Sequence, residues 1–269
     1  MNDRAAFVKL AAALSPWLHQ LVFVGGWAHR LFRLHPRAQA LAYEPLATLD
    51  ADVAFARQEE LKGNVREQLL AAGFTQHLTG EHHPPVSRYT LGEDETSGFY
   101  AEFLTPLVGR EIAQDGRPNA TTSAAGVTAQ RLRYLEVLLQ SPWSVTLDHE
   151  WGAASPIDLQ IPNPVSFIVQ KLLVLDRRPR GKQAQDILYI HDTLELFAPE
   201  LDALARIWRA NVRGTLHDRW ERELHRARAR VFGEPNDQVR DAAAMPQDRE
   251  LDPERMRAMC RAALGEIFE

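Results

Sequence analysis

Cysteine is almost missing from this sequence. Cys260 is the only one in 269 residues, so no disulfide can form within the chain and no cysteine-based zinc cluster can be built. Long apolar runs are missing as well: nowhere do about 18 apolar residues follow one another, which excludes a transmembrane helix and predicts no membrane partner. The start, Met1 to Leu18, carries Asp3, Arg4 and Lys9 and is broken by Pro16, too interrupted for a secretory signal, so the expected location is the cytoplasm. A large excess of one charge is absent too. The formal net charge is −5, which gives no support for a whole-surface nucleic-acid binder. Several familiar motifs fail on single residues. His149-Glu150 is followed by Ala153 where a zinc protease needs its second histidine, Gly181-Lys182 has Asp176 where a Walker A loop needs its leading glycine, and no Gly-x-Ser-x-Gly elbow occurs.

What is present is an ordinary globular balance, 45% hydrophobic and 25% charged, in a chain long enough for one large or two modest domains. The most informative stretch runs from Leu21 to Phe55. Leu21 to Val24 is a short apolar run stopped by Gly25 and Gly26, the pattern of a buried strand turning sharply into a helix near Trp27. Asp50 and Asp52 then stand one residue apart before Val53-Ala54-Phe55. In a strand, alternation puts both carboxylates side by side on one face. Adjacent like charges are costly unless a cation lies between them, and hard divalent cations take oxygen ligands of this kind. Strand, diglycine turn and Asp-x-Asp strand together point to phosphate handling beside a metal; the plain alternative for the glycines is an ordinary tight turn.

Before this stretch, Phe7, Leu10, Leu14 and Leu18 have helical spacing. After it, Gln58 to Ala72 reads as an amphipathic helix ended by Gly73, and Arg88 to Leu91 and Phe99 to Leu104 as a hairpin around the acidic loop Gly92 to Gly98. Gly109 to Gly126 is polar and reads as an exposed excursion, Ala129 to Gln140 as a helix, and Trp143 to Leu147 and Ile157 to Ile161 as strands. Beyond Pro162 and Pro164 the character changes. Val165 to Leu175, Ala184 to Phe197, Leu201 to Val212, Leu216 to Val231 and Pro253 to Phe268 all favour helix, with a polar linker from Glu234 to Asp248. These patterns predict an α/β part over 1–163 and a helical part over 164–269.

One further acid stands out. Phe99-Tyr100-Ala101-Glu102-Phe103-Leu104-Thr105-Pro106 places Glu102 inside an apolar strand, where an unpaired carboxylate is expensive. Were this strand a neighbour of the Asp-x-Asp strand, Glu102 would complete a cluster able to hold two divalent cations about 3.5–4 Å apart. Gly25-Gly26, Asp50-x-Asp52 and Glu102, in that order, resemble the DNA polymerase beta-like nucleotidyltransferase superfamily. The chain looks closest to its bacterial branch of minimal, toxin–antitoxin and abortive-infection-like members. Ala101-Glu102-Phe103-Leu104-Thr105-Pro106, Ile161-Pro162-Asn163-Pro164 and Gln170-Lys171-Leu172-Leu173 add to the likeness, which covers roughly Leu21 to Phe197. Two departures are the long gap from Gly26 to Asp50 and a glutamate where the third acid is more commonly aspartate.

The resemblance implies an α+β fold, with an N-terminal nucleotidyltransferase domain of mixed sheet and flanking helices followed by a C-terminal helical domain. It implies transfer of an NMP from an NTP such as ATP to an acceptor hydroxyl on RNA or tRNA, a protein or a small molecule. Two Mg²⁺ or Mn²⁺ ions would be held by Asp50, Asp52 and Glu102, with Gly25 and Gly26 close to the triphosphate. Lys171, set amid apolar residues, either snorkels out or neutralises a phosphate, and Lys182 belongs to a basic cluster that steers nucleotide or simply meets solvent. A cognate antitoxin or a phage-defence role accompanies this branch. The alternative is a catalytically inactive member serving as a binding or regulatory module.

Overall fold

The structure is a computed structural model and describes residues 3–56, 61–91, 98–112, 116 and 118–269. Its order is α1 (Asp3–Ala13), β1 (Leu21–Val24), α2 (Gly25–Leu31), β2 (Asp50–Phe55), α3 (Val65–Ala71), β3 (Thr75–Thr79), β4 (Val86–Leu91), β5 (Phe99–Pro106), β6 (Thr121–Ala124), β7 (Val127–Leu132), α4 (Leu135–Leu138), β8 (Trp143–Leu147) and β9 (Ile157–Ile161). Then come α5 (Pro164–Val174), α6 (Arg180–Leu196), α7 (Leu201–Ile207), α8 (Asp218–Phe232), α9 (Asp237–Ala243) and α10 (Pro253–Phe268). Strand content followed by helix content makes this an α+β chain. Two compact units result, Met1–Leu34 with Ala47–Pro162, and His35–Leu46 with Asn163–Glu269.

In the first unit the described strands form one mixed sheet, ordered β3-β4-β5-β2-β1-β9-β8, with β7 also paired to β5 and β6 to β7. Period-two alternation gives the central strands two unlike faces. Ala51, Val53, Ala101, Phe103, Tyr89 and Phe23 point one way and are at most 1% exposed. Helices α1 and α2 seal that face: Phe7 stacks on Trp27 at 4.1 Å and meets Phe23 edge-on at 5.1 Å, while Trp27 meets Phe99 at 5.9 Å. Arg30 of α2 reaches back to Asp3 at 2.6 Å, tying the two helices together. The opposite face carries Asp50, Asp52, Tyr100, Glu102, Arg88 and Thr90 on neighbouring strands.

The sequence reading departs from this unit between Gly109 and Gln140. Thr121 to Leu132 is a hairpin, β6 and β7, joined at Ala125 and Gly126, both with positive φ (48° and 80°), the geometry of a two-residue hairpin turn. Ala129-Gln130-Arg131-Leu132 favours helix locally, but pairing of Leu104 to Pro106 with Gln130 to Leu132 makes it a strand, and only Leu135–Leu138 is α-helical. Residues 58–60 of the expected amphipathic helix and 92–97 of the expected acidic loop lie outside the described residues.

The second unit is helical. α5 is buried along its whole length, α6 and α8 pack on it, α10 packs on α6, α7, α8 and α9, and Asn163, Asn236 and Asp252 cap α5, α9 and α10 by accepting backbone N–H bonds. The segment His35–Leu46 belongs here: Gln39 N donates to Leu196 O at 3.0 Å, and Tyr43 Oη donates to Glu195 Oε2 at 2.6 Å. The stretch 234–248, expected as a linker, contains α9, which packs against α6.

Candidate functional site

The site is assembled by strand register. β2 lies between β1, antiparallel to it, and β5, parallel to it. Val24, the last residue of β1, pairs with Asp52, so the chain leaves the sheet at Gly25 directly beside the Asp52 carboxylate. Gly25 has φ +65°, and a side-chain carbon there would collide with Asp52 Oδ2. Glycine is therefore required twice at this position, for its left-handed backbone and for its lack of a Cβ. Gly26 lies in the first turn of α2, whose N-cap Val24 offers no side-chain hydrogen bond, leaving first-turn N–H groups to other partners.

On the other side of β2, Asp50 pairs with Tyr100 and Asp52 with Glu102. Neighbouring strands run about 4.8 Å apart, so Asp50, Asp52 and Glu102, which are separated along the chain by as many as 52 positions, stand at neighbouring register positions on one sheet face. All three are half-buried. Thr48 Oγ1 donates to Asp50 Oδ1, and Tyr100 N donates to Leu49 O at 3.0 Å, fixing the entry to β2.

Two site residues could not be singled out from sequence. Arg88 on β4 is the register partner of Glu102, and its Nε and Nη2 both donate to Glu102 Oε1, at 2.8 and 2.7 Å. The same guanidinium lies 4.2 Å from the centroid of the Tyr100 ring. Burial, Asp50 and Glu102 push the Tyr100 phenol up to about 12, with Arg88 working in the opposite direction and Asp52 adding to the rise. The Tyr100 ring thus lies within electrostatic reach of all three carboxylates and of the Arg88 guanidinium.

Lys171 and Lys182 belong to the helical unit. Lys171 does not snorkel: its side chain is 6% exposed and Nζ donates to Asp186 Oδ1 at 2.6 Å, with the Phe167 and Tyr189 rings 5.3 and 5.2 Å away. Arg178 Nε stands 3.5 Å from the other oxygen of Asp186. Lys182 is exposed, with Nζ 3.1 Å from Gln185 Oε1.

A second group with metal-ligand chemistry lies in the helical unit, where His191, Asp192 and Glu195 bring ligand atoms within 4.8 Å of one another. Its negative charge is already met by protein groups. Arg249 Nη2 and His191 Nδ1 contact Asp192 Oδ1 at 2.6 and 2.9 Å, Tyr43 donates to Glu195, and the Arg249 guanidinium lies 3.2 Å from the Tyr43 ring centroid. Cys260 is wholly buried, and burial, then Asp192 and Glu195, raise its thiol far above the ordinary value. It is a packing residue, not a nucleophile.

No curated protein matches the chain in a sequence comparison. A family profile described as nucleotidyltransferase matches residues 2–213. That span contains the diglycine turn, the Asp-x-Asp strand, Glu102 and Arg88, and it covers well over half of the sequence, so the chain belongs to this nucleotidyltransferase family.

Proposed function

We propose that the protein moves a nucleoside monophosphate from an NTP, ATP among them, to an acceptor hydroxyl with a divalent metal's help, in the manner of the DNA polymerase beta-like superfamily. The observation that carries this is the register Val24–Asp52–Glu102, which sets two acidic strands and the Gly25 turn side by side. Three carboxylates on one sheet face are hard oxygen donors, which suits Mg²⁺ or Mn²⁺. Asp50, Asp52 and Glu102 would hold two such ions, which supply charge neutralisation at the attacking and leaving oxygens.

The chain's own groups do the rest. Backbone N–H groups of Gly25 and Gly26 hold phosphate oxygens where no side chain intrudes. Glu102 takes the acceptor's proton as its oxygen bonds to the α-phosphorus; the bond from that phosphorus to the β-bridging oxygen breaks, and pyrophosphate leaves. Lys171 and Lys182 of the helical unit are further candidate nucleotide contacts, Lys171 by exchanging Asp186 for phosphate. RNA or tRNA ends, protein side chains and small molecules are the acceptor classes. The physiological setting we infer, a toxin–antitoxin pair or phage defence, rests on the likeness of the segments around Glu102, Pro162 and Lys171 alone.

The test is incubation with Mg²⁺ and each α-labelled NTP, with bulk RNA or cell extract. Expected are labelled acceptor and released pyrophosphate, both abolished by Asp50→Ala. No product under any condition, or undiminished activity of Asp50→Ala, refutes the assignment. Nucleotide binding without turnover favours instead an inactive binding module.

A further inference from the structure

We infer that Arg88 is a positioning residue that braces Glu102, turning a flexible glutamate into a metal ligand of fixed direction. This rests on nucleotidyl transfer at the carboxylate cluster. A glutamate has one more rotor than an aspartate, so a glutamate in this place loses more side-chain freedom when it ligates. Register supplies the remedy. Glu102 stands between Asp52 on β2 and Arg88 on β4, all pointing to the same sheet face. Both Arg88 donors converge on Oε1 from the β4 side. With Oε1 held there, Oε2 is the oxygen left to serve the cluster on the Asp52 side. The Tyr100 ring, 4.2 Å from the guanidinium and itself opposite Asp50, packs against Arg88 and limits its movement.

The placement also balances charge. Three carboxylates on adjacent strands repel, and one guanidinium paired with Glu102 partly offsets them. Both Arg88 donors meet one oxygen of Glu102, so its removal disturbs the direction of Glu102 more than the total ligand count.

The experiment compares wild type, Arg88→Met, Arg88→Lys, Glu102→Asp and the Arg88→Met/Glu102→Asp double variant. Methionine keeps an aliphatic stem over Tyr100. Direct Mn²⁺ titration by electron paramagnetic resonance is read beside kcat and KM for NTP. The brace predicts a fall in kcat of about 10- to 100-fold in Arg88→Met, the size of one lost charge-assisted bond. KM for NTP changes little, Mn²⁺ binding persists where Asp50→Ala loses it, and Arg88→Lys recovers part of kcat. The shorter side chain of Glu102→Asp would not reach Arg88, so the double variant should be no worse than Glu102→Asp alone. Wild-type kcat in Arg88→Met, additive losses in the double variant, or loss of Mn²⁺ binding with Arg88 each overturns the brace. If wild type itself neither binds Mn²⁺ through Asp50 nor transfers nucleotide, nucleotidyl transfer falls, and the brace with it. If wild type does both and Arg88→Met is silent, only the brace falls.

Discussion

Gly25→Ala perturbs the backbone and the Asp52 carboxylate together. Two costs can be separated. The backbone at Gly25 has φ +65°, which costs an alanine about 1–2 kcal/mol. At roughly 2–4 °C per kcal/mol for a unit of this size, that is a fall in melting temperature of about 2–8 °C. The second cost is steric and falls on function, because the new methyl would meet Asp52 Oδ2 and the carboxylate must turn away. Gly152→Ala is the matched control: φ is +85° there, but nothing lies within 4 Å of the added carbon. Both variants should lose comparable stability by differential scanning calorimetry. Only Gly25→Ala should also weaken Mn²⁺ binding and NMP transfer, by about 10- to 100-fold, the loss expected when a ligand is misdirected. Equal Mn²⁺ affinity and activity in the two alanine variants would refute the claim that the diglycine turn and Asp52 share a site.

Lys171→Met should strip Asp186 of its 2.6 Å partner in a buried setting and cost about 3–5 kcal/mol, measured by chemical denaturation; stability near wild type with lost NTP binding would mark Lys171 as a phosphate ligand alone. Mn²⁺ binding should survive His191→Gln and vanish in Asp52→Ala, since Arg249 already answers the charge of Asp192; the reverse pattern in a metal titration moves the centre to the helical unit. Burial works to raise the Asp3 carboxyl, but its hydrogen bond and attraction to Arg30 outweigh that and hold it below the usual range. The resulting stability is present above the unfolded carboxylate value near 3.8 and is lost as pH falls through the lower folded value. Asp3→Asn should therefore flatten the acid limb of a pH–stability curve, and an unchanged limb counts against the pair.

Much of this was legible because the sequence wrote it locally. An apolar run ended by two glycines gave β1 and its turn, alternation around Ala51 put two aspartates on one face, and an acid among Phe99, Phe103 and Leu104 marked a strand with something to answer for. Helix α10 starts at Pro253 as read, since Asp252 caps it and proline suits a first turn. Partnership between strands was not legible. Arg88 sits in a short apolar strand like many surface arginines, and only the β4–β5 register reveals that it faces Glu102. β7 was hidden for the same reason, its helix-favouring residues being overruled by β5 across a long sequence separation. Short α9 was masked by the polar residues around it, its burial resting on Val239, Ala242 and Ala243 alone.

The segment His35–Leu46 has a practical corollary for anyone dissecting this chain. The polypeptide changes unit at Leu34–His35, returns at Leu46–Ala47 and changes again at Pro162–Asn163. A cut at Pro162 thus strips the helical half of Gln39 and Tyr43, leaving Glu195 without its phenol and Arg249 without the ring it lies on. Deletion mapping should treat residues 163–269 as an unfinished object, and a soluble helical fragment is best sought by grafting 35–46 back through a short linker.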